Sequence, residues 1–203
     1  MFVTCLDLEG VLVPEIWIAF AEASGIPELR RTTRDEPDYD KLMKWRIALL
    51  KERGLGLKEI QKTIEKIEPL EGAKAFLDEL RSISQVIILS DTFTEFAAPL
   101  MKKLGMPTIF CNNLTVDANG MITGYNLRQS NGKYHAVKAL QSIGFKTIAA
   151  GDSFNDLEMI KNSQAGFLFR PPKHIQDEYS HIKAFTEYSD FLAAIKSVIE
   201  AER

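Results

Sequence analysis

Phe2-Val3-Thr4-Cys5-Leu6-Asp7-Leu8-Glu9-Gly10 opens the chain with an apolar, β-branched run that stops at an acid and, three residues on, at a glycine. A strand buried on both faces of a parallel sheet reads as such a continuous run, and its last residues pass into a loop at the carboxyl edge. Residues 2–7 are therefore expected to form the first strand, with Asp7 and Glu9 at its mouth.

Moving outward, similar runs recur at Gln85–Ser90, Pro107–Cys111, Thr147–Ala150 and Ala165–Phe169, each after a segment of helical character. Alternating strands and helices predict a doubly wound, Rossmann-like α/β fold around a parallel sheet. The rhythm breaks between Pro14 and Leu70, where helical periodicity runs on without a strand, too long for a plain crossover. Helices are expected over Glu15–Ser24, stopped by Gly25, over Asp38–Arg53, capped by Asp38 or Tyr39 and followed by Gly54, and over Leu57–Ile67, stopped by Pro69. This makes residues 14–70 a helical cap inserted after the first strand, and residues 1–13 and 71–203 the α/β core. Within the core, Leu114–Leu127 carries Asp117-Ala118-Asn119-Gly120 between alternating residues and reads as a β-hairpin excursion. Asp190–Ala201 reads as an amphipathic helix lying on the sheet, with Glu200–Arg203 frayed at its end.

The 203 residues suffice for one large domain or a core with a smaller insert. Hydrophobic residues at 45% and charged residues at 26% exclude a disordered or collagen-like chain. Lys and Arg number 25 against 28 Asp and Glu, a formal charge of −3, which provides no field to gather nucleic acid. Cys5 and Cys111 sit in apolar runs, as free packed cysteines do, rather than in a disulfide framework. No segment approaches the roughly 20 apolar residues of a membrane span, and no basic leader precedes the first strand. A cytoplasmic protein with neither a nucleic-acid nor a membrane partner is expected.

Four short constellations carry chemistry. Asp7 and Glu9 are alternate residues at the end of a buried strand, the edge where open α/β sheets bind ligands, although acids after strands also serve merely as loop caps. Ser90-Asp91-Thr92 follows another strand, so that a hydroxyl and backbone N–H groups could hold phosphate oxygens; the competing reading is an N-cap for the helix at Glu95–Leu104. Lys133 precedes a helix ending near Ser142 and could bring an ammonium group to an anion, or could simply be solvated. Gly151-Asp152-Ser153-Phe154-Asn155-Asp156 is the most specific of the four, because acids at i and i+4 can face one ion when the turn is helical. Magnesium, which takes oxygen ligands and keeps several waters, suits carboxylates supplied from two strand ends such as Asp7 and Asp152.

In this order the four resemble the motifs of the haloacid dehalogenase superfamily, with Asp7-Leu8-Glu9, Ser90, Lys133 and Gly151–Asp156 in the successive places. The acid cluster is similar to the form found in the phosphoserine phosphatase branch. Leu6–Trp17 and Thr33-Arg34-Asp35 further resemble a subgroup that joins phosphoserine phosphatase with homoserine phosphotransferase activity. The resemblance implies a Mg²⁺-dependent enzyme of serine biosynthesis that forms an aspartyl-phosphate on Asp7. It implies Glu9 as acid/base and, through its backbone carbonyl, as a metal ligand, with Asp152 as ligand and Asp156 helping to hold the ion. Ser90, Asp91, Lys133 and Asn155 would surround the phosphate, while Glu15 and Arg46 would grip the amino and carboxylate groups of phosphoserine, homoserine being a further acceptor. For Arg46 the plain alternative is an exposed helix cation. Most phosphatases of the superfamily carry Asp where Glu9 stands, and the extra methylene moves the carboxyl by roughly 1.5 Å.

Rival readings are a phosphatase for sugar phosphates or nucleotides, a binding module without turnover, and a receiver-like phosphoacceptor, which would lack the long helical insert. Trp17 and Trp45 are either a homodimer interface or core packing.

Overall fold

The computed structural model describes residues 1–32, 35, 36 and 38–202. Thr33 and Arg34, part of the resemblance noted above, lie outside the described residues, as does Arg203.

Among the described residues the strands are β1 (Phe2–Leu6), β2 (Gln85–Phe93), β3 (Thr108–Val116), β4 (Ile122–Asn126), β5 (Lys146–Gly151), β6 (Ala165–Phe169) and β7 (Ala184–Phe185). They form one sheet in the order β4-β3-β2-β1-β5-β6-β7, parallel except for the β3–β4 pair. Period-two alternation divides the buried residues between two faces. Leu6, Ile88, Ile148, Ala150 and Phe167 enter one apolar cluster, and Val3, Cys5, Leu89, Ala149 and Leu168 the other.

Helices α1 (Ile16–Ser24), α2 (Tyr39–Glu52) and α3 (Leu57–Ile64) occupy the segment after β1, with no strand among its described residues. They are followed by α4 (Ala73–Ile83), α5 (Thr94–Lys103), α6 (Gly132–Ser142), α7 (Leu157–Lys161), α8 (Lys173–Glu178) and α9 (Tyr188–Ala201). Phe20, Met43, Ile60 and Ile64 of the inserted helices are buried in the same cluster as Leu77 of α4 and Phe96 of α5. Trp17 packs edge-on against Phe96, with centroids 5.2 Å apart, which is the core-packing reading of that residue.

Several boundaries differ from the sequence reading. β2 runs three residues past Ser90 to Phe93, pairing with Asn112 of β3 across an irregularity. β3 does not stop at Cys111 but continues to Val116, so the hairpin is an extension of a core strand. Its turn is closed by the Asp117 carboxylate, which accepts from the Asn119 and Met121 amides at 2.9 Å each. Helix α3 ends at Ile64 rather than Ile67, and the Ile67 carbonyl accepts from Lys103 at 2.9 Å instead of capping a further turn. α9 holds through Ala201, and Glu202 after it pairs with Lys146 and accepts from Gln164, so Glu200 and Ala201 do not fray. β7, at two residues, is too short to leave a periodic signal.

In register, Leu6 of β1 lies beside Ile88 of β2 on one side and Ala150 of β5 on the other. The strand order reverses at β1, and the crevice outside the carboxyl ends at such a switch point is where open α/β sheets bind ligands. Asp7, Ser90 and Asp152 are thereby delivered to one edge.

Candidate active site

Asp7 extends the β1 ladder by one bond, donating its amide to the Ala150 carbonyl at 2.9 Å. Its carboxylate is buried, and Oδ1 accepts from the Leu8 amide at 2.7 Å. Lys133 Nζ lies 2.9 Å from the same oxygen and 2.7 Å from Asp156 Oδ1. At 4% exposure Lys133 is a buried cation and not the solvated lysine of the plain reading.

The acid loop following β5 makes a short 3₁₀ turn, Phe154–Asp156, with a capping box: Ser153 Oγ and the Asp152 and Ser153 amides all donate to Asp156 Oδ2 at 3.0–3.1 Å. With Oδ1 taken by Lys133, both oxygens of Asp156 are committed, and this fully buried acid braces the loop. Carboxylate oxygens of Asp7, Asp152 and Asp156 come within 4.8 Å of one another. Burial and then Asp156 push Asp7 well above the ordinary carboxylate range, against the pull of Lys133. Burial first and Asp156 second raise Asp152 to about 7. Burial alone would lower Lys133, yet Asp156 and Asp7 hold it well above its usual value. Hard oxygen donors repelling one another in a buried corner with a single ammonium group form a site that could hold a metal ion.

Glu9 does not join this group with its side chain. Its Oε2 accepts from the Ile16 amide at 2.7 Å, at the N-terminus of α1. Burial and the neighbouring Glu15 raise its pKa to about 8. Glu15 is exposed and sits at the N-cap of α1 without a side-chain cap bond.

Ser90 is buried and its Oγ accepts from the Thr92 amide at 3.2 Å. The alternative role of Ser90 or Asp91 as helix cap fails, because α5 begins only at Thr94 after Phe93. Asp91 Oδ2 accepts from Asn155 Nδ2 at 2.8 Å and lies 3.9 Å from Lys133 Nζ, linking the second, third and fourth constellations. A cleft beside them is lined by Ser90, Asp91, Asn112, Arg128 and Lys133. A larger cleft by α8 and β7, lined by Lys173, Asp177 and Lys183, holds none of the clustered acids.

Arg46 is not the exposed helix cation of the plain reading. It is 4% exposed, lies over the Trp17 ring at 4.3 Å, and donates to the Arg31 carbonyl at 2.7 Å, while its Nε is buried without a partner. Among the described residues no carboxylate forms an ion pair with it, and burial lowers it to about 10.

Sequence reasoning missed the residues that hold this machinery. Asn112 donates to the Asp91 carbonyl at 3.0 Å and accepts from the Arg128 amide at 3.0 Å, joining two site loops. Tyr188 donates its hydroxyl to the Val11 carbonyl at 2.6 Å, pinning the loop after β1. These partners lie far apart in the chain, and no local pattern announces them.

Fold and site together define a doubly wound α/β enzyme with an aspartate cluster at its switch point. The model of the haloacid dehalogenase-like hydrolases matches residues 5–164, and the chain belongs to that family. It is 52% identical over 190 residues to phosphoserine phosphatase ThrH of Pseudomonas aeruginosa, covering 94% of this chain and 93% of the relative. It is 50% identical over 188 residues to a phosphoserine phosphatase of Pseudomonas syringae pv. tomato, covering 93% and 79%. A solved structure described as a phospho-aspartyl intermediate analogue of phosphoserine phosphatase aligns with TM-score 0.74 at 25% identity, covering 95% of this chain and 97% of that one. No helix among the described residues is long and apolar enough to cross a membrane.

Proposed function

We propose that this enzyme hydrolyses O-phosphoserine to serine and phosphate through an aspartyl-phosphate on Asp7, and can pass the phosphoryl group to homoserine. The observation that carries this reading is the buried, partnerless Arg46 Nε, on a guanidinium without a carboxylate partner among the described residues, in a chain whose buried Asp7 meets Lys133. A buried guanidinium calls for an anion, and a carboxylate fits its fork in a way that a sugar hydroxyl or a base edge does not. This favours an amino-acid phosphate over sugar phosphates and nucleotides.

In this reading residues 14–70 cap the core of residues 1–13 and 71–203, and substrate lies between them. Ser90 and Lys133 hold the phosphoryl oxygens, Asp91 of β2 ties Asn155 of the acid loop to Lys133 beside them, Arg46 takes the carboxylate and Glu15 the ammonium group. The donor set suits Mg²⁺, with Asp7, Asp152 and the Glu9 carbonyl as ligands and Asp156 supporting them from behind. When bound, the ion neutralises phosphoryl charge and favours the ionised form of Asp7.

An Asp7 oxygen attacks phosphorus, the bond to the serine oxygen breaks, and that oxygen takes the proton of Glu9. Glu9, raised to about 8, holds this proton at neutral pH. Water or the homoserine hydroxyl then attacks phosphorus, the bond to Asp7 breaks, and Glu9 takes back a proton. Glu9 is thereby acid and base in turn.

Phosphate release from phosphoserine with Mg²⁺, its loss with EDTA, and weaker turnover of sugar phosphates and nucleotides are expected. Asp7→Asn is expected to lower release by at least about 10⁴-fold while the melting curve is kept. Full activity in that variant would sink the nucleophile assignment.

A further inference from the structure

The β3–β4 hairpin leaves the core sheet and touches the inserted helices twice. The Leu57 amide at the start of α3 donates to the Gly120 carbonyl in the hairpin turn at 2.8 Å. There, a Cβ on Gly56 would come within 3.1 Å of the same carbonyl. Tyr125 of β4 donates its hydroxyl to Asp40 Oδ1 of α2 at 2.8 Å. Its ring meets Tyr39 edge-on with centroids 5.8 Å apart, and Phe93 at 6.1 Å.

Tyr39 and Asp40 are the first two residues of α2, and Arg46 lies two turns further along the same helix. Phe93 closes β2 three residues after Ser90. One tyrosine therefore touches both the helix bearing the guanidinium and the strand bearing the phosphate-site serine.

The contact of α3 with the core is of a different kind. Helix α3 lies along α5, its Ile60 and Ile64 fully buried in one cluster with Phe96 and Leu100, and Gln61 donates to the Glu95 carbonyl at 2.9 Å. Buried apolar contact of this sort opens only with much of the fold, whereas the hydrogen bond between an exposed carboxylate and one hydroxyl, beside the Tyr125 ring contacts, exchanges readily with water.

We propose that Tyr125 is a positioning residue, a latch that holds the start of α2 on the hairpin so that Arg46 keeps its place over Trp17. Its effect on turnover rests on the reading above that Arg46 binds the substrate carboxylate. Met43 and Leu50 keep α2 in the buried cluster, so release of the latch loosens α2 from its start without freeing it, and leaves the chemistry at Asp7 intact.

Tyr125→Phe removes the hydroxyl and keeps the ring. It is expected to lower kcat/KM for phosphoserine by about 2- to 10-fold, the worth of one net hydrogen bond, mainly through KM. Hydrolysis of p-nitrophenyl phosphate, which has no carboxylate for Arg46, should stay unchanged. Tyr125→Phe combined with Asp40→Ala should lose no more than the larger single effect. Equal loss on both substrates, or loss on neither, would overturn the latch. If the wild-type enzyme turns over p-nitrophenyl phosphate but not phosphoserine, the substrate reading fails, and hydrogen exchange then decides the latch by itself. Amides of Tyr39–Glu52 should exchange several-fold faster in Tyr125→Phe while those of Leu57–Ile64 do not, and unchanged exchange over α2 would refute it.

Discussion

Gly10 has no side chain, and the placing of Asp152 depends on that. A Cβ at Gly10 would stand 2.5 Å from the Asp152 carboxyl, and the backbone there is left-handed at φ 75°. The Asp152 carboxyl would have to turn aside, away from the acids it clusters with at Asp7 and Asp156. Gly10→Ala is expected to cost about 1–3 kcal/mol from the backbone alone, read from denaturant melts. It should also shift the Mg²⁺ activation curve to higher concentration. A variant with wild-type stability and wild-type Mg²⁺ response would show that the close approach is immaterial. Gly151 carries the same constraint on the other side, since its Cβ would fall 2.1 Å from Asp156 Cγ. At this scale the sequence exposed the acids plainly, because charged residues at the end of an apolar run stand out. It was silent on Gly10 as a spacer, because that role is defined by Asp152, more than a hundred positions away, and on Gly151, because only the folded turn brings Asp156 back onto it. Glu9 is a middle case: its unusual length was visible, but the Ile16 amide as its partner was not.

Helix α2 shows how far local chemistry reaches at the scale of an element. Asp38 Oδ1 accepts from the Lys41 amide at 3.1 Å, and at the far end Gly54, at φ 66°, lets the Leu55 amide reach the Leu50 carbonyl at 2.9 Å. Both ends fell within a residue of the reading from sequence, because caps act between near neighbours. Asp38→Ala is expected to lower stability by about 0.5–2 kcal/mol, checked by thermal or chemical unfolding. An unaltered midpoint would mean that the Lys41 amide finds water at no cost. Helix α3 shows the limit, since Ile67 continues its apolar period yet lies outside it, its carbonyl claimed by Lys103 of α5. The end of β2 was misplaced for the same reason: pairing of Phe93 with Asn112 is a tertiary choice that no propensity at Ser90–Thr92 announces.

For the molecule as a whole, the acid cluster links folding to pH and metal. Asp152 is raised from 3.8 to about 7 and Glu9 from 4.5 to about 8 by burial and by neighbouring acids. A carboxyl whose pKa is higher in the folded chain favours folding fully below its unfolded value and loses that contribution as pH rises through the folded value. The metal-free protein should therefore lose stability from this cluster between about pH 4 and about pH 8. A divalent cation competes with those protons and binds the folded state. Mg²⁺ should accordingly raise the melting temperature more at about pH 8 than at about pH 5.5, and EDTA should abolish the difference. Equal shifts at both values would separate the acids from metal binding.

What the sequence determined alone was the set of local facts: which runs are strands, where caps start and stop helices, which acids and hydroxyl follow strand ends, and which lysine opens a helix. Parallel α/β order then places those ends on one edge, so the family and the candidate groups at that edge were legible before any coordinates. Only the tertiary structure decided how those groups meet. Lys133 bridges Asp7 and Asp156, Asp91 ties Asn155 to that bridge, Arg46 is buried without a carboxylate partner among the described residues, and Tyr125 joins hairpin to helix. The reason is physical: burial, charge coupling and hydrogen bonding act over a few ångströms of space, and positions up to 177 residues apart become neighbours only when the sheet and the helices around it close on one another.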